Sequence, residues 1–433
     1  MKIKAVLLAA GKSSRFWPLS EERHKSTIEI CGKPIILWTI ESFAKAGIKD
    51  FIVIQSPKRD VERVLSRYDL SEYNIDFVVQ EQALGMGDAV ERAKEFIEDY
   101  FFVLNPNHFD AHEFVLPMIK KLKQTRVQAI LLGKQTSTPW EYGVFVFENN
   151  KPAGIVEKPE KGKEPSNIRV TGIYLLSKKF FDYHKQVKLH EYSYEEALSL
   201  LMKNENVEVV ITEKSTISLK YPWHLLDFTK KLMECAIKEQ KINENAKISE
   251  KAYIEGNVII DEGVKIFENA VIKGSCYIGK NTVVGNNTLI RESHIGKNNI
   301  IGANSEVARS VFLDDVHVHS GYFGDSILAE HVRVGSGSVF ANVRLNRENV
   351  KCIVKGKNID TGKKSFGCVI GKNTKIGINV SIMPGILIGS NCIIGPATLV
   401  KENVESNTIY YVEQKIVKKK CKIESEKQGY NNS

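Results

Sequence analysis

The stretch Ile248–Ile290, ISEKAYIEGNVIIDEGVKIFENAVIKGSCYIGKNTVVGNNTLI, places an aliphatic residue at every sixth position: Ile248, Ile254, Ile260, Ile266, Ile272, Ile278, Val284 and Ile290. A second series repeats the spacing through Ile370, Ile376, Ile382, Ile388, Ile394 and Val400. Many of these residues are followed by Gly and then by Asn- or Lys-rich turns, as in IGKNTV, IGINVS and IGSNCI. Helices and flat strands repeat with shorter periods, so neither accounts for this spacing. A left-handed parallel β-helix does: each hexad forms one flat face of a prism and points its aliphatic side chain inward. No single coil can bury its own interior, so stacked coils share one continuous core.

Between the two series lies His319–Lys351, HSGYFGDSILAEHVRVGSGSVFANVRLNRENVK, which interrupts the array with polar groups that regular packing does not need. Beyond the array, 433 residues leave room for a further domain. A hydrophobic share of 42% and a charged share of 26% are those of an ordinary water-soluble chain. The net charge of +9 comes from scattered lysines, with one basic run in the tail, Lys415 to Lys422. That dispersal argues against nucleic acid as a partner and suits phosphorylated substrates. Seven dispersed cysteines without a C-x-x-C pair fit reduced thiols. The apolar run Ala5–Ala10 is too short for a signal peptide, and nothing approaches a membrane span, so the expected location is cytoplasmic.

The N-terminal half alternates strand and helix patterns. Strands are expected at Ile3–Ala10, Phe51–Ile54, Ile75–Val79 and Tyr100–Leu104, with helices at Pro34–Ala46, Val61–Tyr68 and Ala89–Ile97. Such alternation implies a mostly parallel sheet whose ligands bind at the carboxyl ends of strands, where loops 11–15, 80–89 and 105–110 fall. From Ala129 to Ser218 strands dominate, and Trp223–Ile242 reads as a linking helix.

A Gly- and Ser-rich loop after a first strand offers backbone N–H groups to phosphate. Leu7-Leu8-Ala9-Ala10-Gly11-Lys12-Ser13-Ser14-Arg15, Pro18-Leu19-Ser20, Lys25, Gly32-Lys33-Pro34, Gln80-x-x-x-Leu84-Gly85, Tyr142-Gly143, Glu157-Lys158-Pro159 and Gly172-Ile173-Tyr174 together resemble the signature of sugar-1-phosphate nucleotidyltransferases. In that family a sugar-1-phosphate oxygen attacks the α-phosphate of a nucleoside triphosphate, and pyrophosphate leaves. The resemblance implies nucleotide-binding roles for Leu8, Ala10, Gly11, Gln80 and Gly85, and catalytic roles for Arg15 and Lys25. It implies that Gly143 and Glu157 hold the sugar phosphate, and that Mg2+ is required if the site is active. Two positions depart from the pattern: Asn107 stands where a metal-binding Asp is expected, and Ser218 where a second acid is expected. The alternative implied by those changes is a non-catalytic lobe kept for binding or regulation.

Within the array, His319, Tyr322, Gly324-Asp325-Ser326, Gly335-Ser336-Gly337, Asn342-Val343-Arg344 and Lys351 resemble the acetyltransferase motif of archaeal-type bifunctional enzymes that make UDP-N-acetylglucosamine. A further Lys of that pattern is Glu348 here. The resemblance implies acetyl transfer from acetyl-coenzyme A to glucosamine-1-phosphate, with His319 catalytic and Tyr322, Asn342, Arg344 and Lys351 binding the sugar phosphate. It also implies UTP or dTTP as nucleotide and a homotrimer. An unperturbed imidazole titrates near neutrality, so it can accept the proton of an attacking amine. The expected architecture is therefore a Rossmann-like nucleotidyltransferase-type α/β domain over 1–228, a linking helix over 229–245, a left-handed β-helix over 246–412 and a basic tail over 413–433.

Overall fold

A computed structural model of the chain describes residues 2–420. Its N-terminal domain is an α/β sheet. The strands are β1 (Ile3–Ala9), β2 (Asp50–Gln55), β3 (Asn74–Val79), β4 (Tyr100–Leu104), β5 (Ala129–Gln135), β6 (Gly143–Glu148), β7 (Lys151–Glu157), β8 (Ile168–Ser177) and β9 (Val207–Ile211). The order is β9-β5-β8-β4-β1-β2-β3, with β6 pairing β8 and β7 at the side. β1 is parallel to both β2 and β4, while β8 runs antiparallel to β4 and β5. Residues of β1 alternate between two apolar layers: Ala5, Leu7 and Ala9 pack on one face, Val6 on the other. Both faces of the central strands are therefore covered, which explains their unbroken apolar runs.

The helices are α1 (Ile35–Lys45), α2 (Asp60–Leu65), α3 (Met86–Glu91), α4 (Ala111–Thr125), α5 (Phe180–His184), α6 (Ser193–Asn204) and α7 (His224–Ala236). Three details correct the expectations from sequence. The helix placed at 89–97 is displaced, α3 ending at Glu91 before a separate turn over Lys94–Phe96. The segment 129–218 is not strand alone, because α6 buries Tyr194, Ala197, Leu198 and Leu201 against the sheet. The linker set at 229–245 is helical only to Ala236. Ile237 leaves the helix to pack with Met233 on Tyr277, and Lys241–Ile242 already pairs with Ile259–Ile260 as the first coil strand.

From Lys241 onward three parallel sheets form a prism with the strand register of a β-helix. Lys247–Ile248 lies over Lys265–Ile266, which lies over Val283–Val284, an 18-residue coil. The interior is the aliphatic column expected from the hexads, and it does not lapse between the two series. It continues through Ile295, Ile301, Val307, Phe312, Val318, Phe323, Leu328, Val334 and Phe340. Some faces there are one residue shorter, and Phe312, Phe323 and Phe340 fill the core edge to face, with ring centroids 5.9 and 4.9 Å apart. Corner residues adopt left-handed backbone, which Asn tolerates best among non-glycines: Asn281, Asn298, Asn373, Asn391 and Asn407 all have positive φ. Gly302 answers a different need, since a Cβ there would come within 2.0 Å of the His319 carbonyl oxygen on the next coil.

The two domains share an apolar seam. Phe16, Leu19, Ile28, Trp223 and Phe228 pack with Val311, Ile327, Phe366 and Leu387 of the prism. A polar strap runs beside it. Lys297, Asp314, Glu330, Lys372, Ser390 and Ser406 form one vertical column, each linked by backbone hydrogen bonds through the following corner residue of the next coil. Glu29 meets Lys297 at 2.5 Å, Arg23 meets Glu330 at 2.5 Å, Glu22 meets Lys372 at 2.7 Å and Glu21 meets Ser406. Residues 411–420 carry no regular structure and are exposed; the remainder of the basic tail lies outside the described residues.

Candidate active sites

The first site opens at the carboxyl end of β1. Ala10, Gly11 and Lys12 line a cavity of about 360 Å³ together with Lys58, Asp60 and Gln80. Leu8 does not line it; that side chain packs against the core of the sheet. Gln80 is buried and its amide nitrogen donates to the Gly85 carbonyl at 3.1 Å and to Asp88 at 2.8 Å. Those two acceptors fix which end of the amide is nitrogen and leave its oxygen as an acceptor for a ligand N–H. Asp88, in the first turn of α3, thus orients Gln80 and was missed by the motif reading. Gly85, with φ +102°, approaches the Glu191 backbone so closely that a Cβ would lie 3.1 Å from its carbonyl.

Lys25 begins a short turn held by its neighbours. The His24 amide donates to buried Asp60 at 2.5 Å, and His24 Nδ1 accepts from the Ser26 amide. Burial brings the His24 imidazole down to about 3, so it stays a neutral acceptor. From this turn the Lys25 ammonium reaches the Leu219 carbonyl at 2.9 Å. Burial, then the charge of Arg15, lowers Lys25 to about 8.

The structure also brings positions 107 and 218 to one place, since the Asn107 amide nitrogen donates to the Ile217 carbonyl at 2.8 Å. The donor set there does not fit a divalent cation. Asn107 contributes no charge and Ser218 only a hydroxyl, whereas magnesium sites lean on carboxylates. No group of three His, Cys, Asp or Glu side chains suited to a metal occurs among the described residues. Burial pushes Asp110 up to about 6 at the start of α4, and Asp227 pairs with Lys363 of the prism. The Asn107 amide nitrogen braces the 217–219 segment, which leaves its oxygen as the one neutral donor at the position where the sequence suggested a degenerate metal ligand.

Gly143 and Glu157 face each other across β6 and β7. Glu157 Oε2 lies 2.5 Å from where a Cβ on residue 143 would stand, so a larger residue there would push the Glu157 carboxylate aside. Glu157 also lines a cavity of about 470 Å³ with Tyr192, Glu195 and Lys188.

The second site lies on the prism. Arg309 grips Asp325 with two hydrogen bonds of 2.7 Å. Asp325 in turn accepts from the Asn342 amide at 2.5 Å, and that amide also donates to the Tyr322 hydroxyl at 3.1 Å. Asp325 and Asn342 are 7% and 9% exposed, so the network is fixed rather than solvated. Arg309 and Asp325 were not among the expected site residues, although they set the orientation of two that were. His319 stands at the other corner of the same face, two residues before the strand Gly321–Gly324 that carries Tyr322, and is exposed. Arg344 turns away toward Glu348 at 3.1 Å and the Asn349 carbonyl at 3.1 Å. Lys351 opens a hairpin, Lys351–Val354 with Lys357–Asp360, inside an excursion that separates paired strands Ile327–Leu328 and Val369–Ile370. Leu345, within that excursion, is fully exposed. Within one chain, then, Tyr322 meets Asn342, while His319, Arg344 and Lys351 stand apart from them. His317 and His331 both pair with Asp315, a structural corner contact.

Comparison with known proteins gives a consistent picture. The nucleotidyl transferase family matches residues 4–224, the GMPPB C-terminal domain family residues 236–359, and the bacterial transferase hexapeptide family (six repeats) residues 367–402. The bifunctional protein GlmU of Methanocaldococcus jannaschii is 35% identical over 429 residues, covering 96% of this chain and 100% of the relative. A bifunctional sugar-1-phosphate nucleotidylyltransferase/acetyltransferase of Sulfurisphaera tokodaii is 33% identical, covering 93% and 98%. The bifunctional protein GlmU of Methanococcus maripaludis strain C7 is 36% identical, covering 95% and 98%. No helix among the described residues is long and apolar enough to cross a membrane.

Proposed function

The chain belongs to the GlmU-type family of bifunctional sugar-1-phosphate nucleotidyltransferases/acetyltransferases, and from that membership we propose a cytoplasmic enzyme of nucleotide-sugar biosynthesis whose prism carries out acetyl transfer. The donor is acetyl-coenzyme A and the acceptor an amino-sugar-1-phosphate, glucosamine-1-phosphate. The neutral amine attacks the thioester carbonyl, a C–N bond forms, the C–S bond breaks, and His319 takes the amine proton. The observation that carries this reading is the Arg309–Asp325–Asn342–Tyr322 network on the His319 face, which presents a fixed hydroxyl and amide to a polar substrate. Both corners of that face serve one substrate only if something closes over it. A homotrimer does so, with exposed Leu345 as an apolar contact and Arg344 and Lys351 reaching the phosphate. Replacing His319 with Ala should abolish release of free coenzyme A thiol in the presence of glucosamine-1-phosphate without changing the unfolding midpoint. Turnover near that of the parent chain would refute the role of His319.

The N-terminal domain, in this reading, transfers a nucleotidyl group from UTP or dTTP to a sugar-1-phosphate. Gln80 receives the base, Gly11, Arg15 and Lys25 the triphosphate, and Gly143 with Glu157 the sugar. The neutral side chains at 107 and 218 favour a second reading, a lobe that binds without turnover. Pyrophosphate release from UTP and dTTP with N-acetylglucosamine-1-phosphate separates the two: release supports transfer, and none supports binding alone.

A further inference from the structure

A cavity of about 500 Å³ lies between the two domains, bounded in part by the polar strap. One wall comes from α2 and the turn after it, with Arg63 and Arg67 four residues apart; the opposite wall is a prism corner with Asp314 and Asp315. Arg63 and Arg67 are exposed and form no ion pair among the described residues, although carboxylates stand across the same space. Those carboxylates are partly engaged elsewhere. Asp315 pairs with His331 and Arg333, and Asp314 accepts from the Lys297 amide at 2.7 Å through Oδ1 alone. The other acids on the cavity, Glu21, Glu22, Glu29 and Glu330, are bound along the strap. Asp60 is the exception. It lines the cavity, is 2% exposed, and accepts from the His24 amide through Oδ2, while its buried Oδ1 has no hydrogen-bond partner.

A buried carboxylate oxygen left unpaired is costly, so Oδ1 calls for a donor. A ligand that satisfies both walls carries an anion at one end and a cation at the other. Phosphate matches a pair of free arginines, and an ammonium matches Asp60 Oδ1 and Asp314. The volume is in the range of small-molecule sites. We propose that this interdomain cavity is a regulatory site for a phosphorylated amino sugar, with its phosphate on Arg63 and Arg67 and its ammonium on Asp60. Asp60 also lines the cavity at the end of β1, and its Oδ2 holds the turn from which Lys25 reaches the Leu219 carbonyl. An ammonium on Oδ1 fixes the carboxylate at both oxygens and steadies that turn, so UTP binds more tightly when the cavity is filled. This coupling, unlike the site itself, rests on the reading that the lobe takes a nucleotide, and it is reciprocal.

The test is calorimetric titration of the full chain with glucosamine-6-phosphate. The double variant Arg63→Gln/Arg67→Gln should weaken binding tenfold or more with an unchanged thermal midpoint. N-acetylglucosamine-6-phosphate, which lacks the ammonium, should bind the parent chain at least tenfold more weakly than the amine. Neither arginine is on the prism, so undiminished affinity in the double variant would place the ligand elsewhere and overturn the site, as would no binding by the parent. With glucosamine-6-phosphate at saturation, UTP affinity should rise threefold or more in the parent and stay level in Arg63→Gln/Arg67→Gln. UTP binding indifferent to the sugar phosphate would overturn the coupling. No binding of UTP under either condition would remove the nucleotide reading and the coupling with it, while the direct titration still decides the site.

Discussion

The two sites treat charge in opposite ways. On the prism, Arg309 is spent on Asp325, and that pair exists to orient Asn342 and Tyr322, so the recognition surface itself is a neutral amide and a hydroxyl. In the N-terminal domain, Lys25 is buried against the Leu219 carbonyl at 2.9 Å and forms no ion pair among the described residues. A paired network costs nothing further when substrate arrives and favours precise orientation. A buried ammonium without an acid partner gains most from an anion that reaches it, and favours affinity. One chain thus uses fixed geometry where an amine must be aimed, and open charge where phosphates must be gathered.

The sharpest break in the comparison is chemical. His319→Ala should lower acetyl transfer by roughly 10²–10⁴-fold, the usual worth of a general base, while UTP titration of the N-terminal site stays unchanged. Asp325→Ala comes next. It leaves Arg309 without its partner and Asn342 free to turn, so stability should fall by about 2 kcal/mol in denaturant unfolding, and acetyl transfer should fall with it. An Asp325→Ala chain of undiminished stability would mean that the network is solvated rather than fixed.

The third prediction concerns pH. Lys25 is lowered to about 8, so it is charged below that value and loses its proton as pH rises through it. UTP affinity measured in EDTA should therefore decline several-fold between about pH 7 and 9, beyond any change shown by Lys25→Met. For folding the sign is the reverse. The cost of burying the charged ammonium is present in full below about 8 and fades as pH rises from there toward the unfolded value of 10.5. The smallest effect belongs to the strap, where Arg23 and Glu330 have side chains 24% and 19% exposed. A double-mutant cycle with Arg23→Ala and Glu330→Ala should give a coupling of about 1 kcal/mol.

The prism was legible because each hexad commits one side chain to the interior, so Ile248 to Val284 could be read as a column from spacing alone. The column was harder to follow beyond Ile290. Steps such as Ile290 to Ile295 and Val307 to Phe312 are five residues, and the larger aromatic side chains make up the lost depth. That shortening also hid Arg309 and Asp325. They are neighbours because the coil between them is 16 residues long, which the hexad count does not supply. In the N-terminal domain the alternation gave the parallel strands, but α6 lay inside a segment whose β-rich flanks dominated its reading. Among site residues, local pairs such as Gln80 with Gly85 were readable from a motif. Asp60 beneath His24, and Lys25 against Leu219, depend on contacts spanning 36 and 194 residues, which no local pattern carries.

The strap between the domains has a consequence for how this protein can change. Glu29, Arg23, Glu22 and Glu21 touch Lys297, Glu330, Lys372 and Ser406 in that order, along a column that climbs one coil at a time. Five coil steps at about 4.8 Å each span roughly 24 Å, the reach of a ruler laid against the prism. Solenoids ordinarily gain or lose coils by duplication and deletion, because each coil needs only its neighbours. Here an added or missing coil within Lys297–Ser406 would shift every later mark against the ruler, so the count of coils in this chain is tied to its other domain.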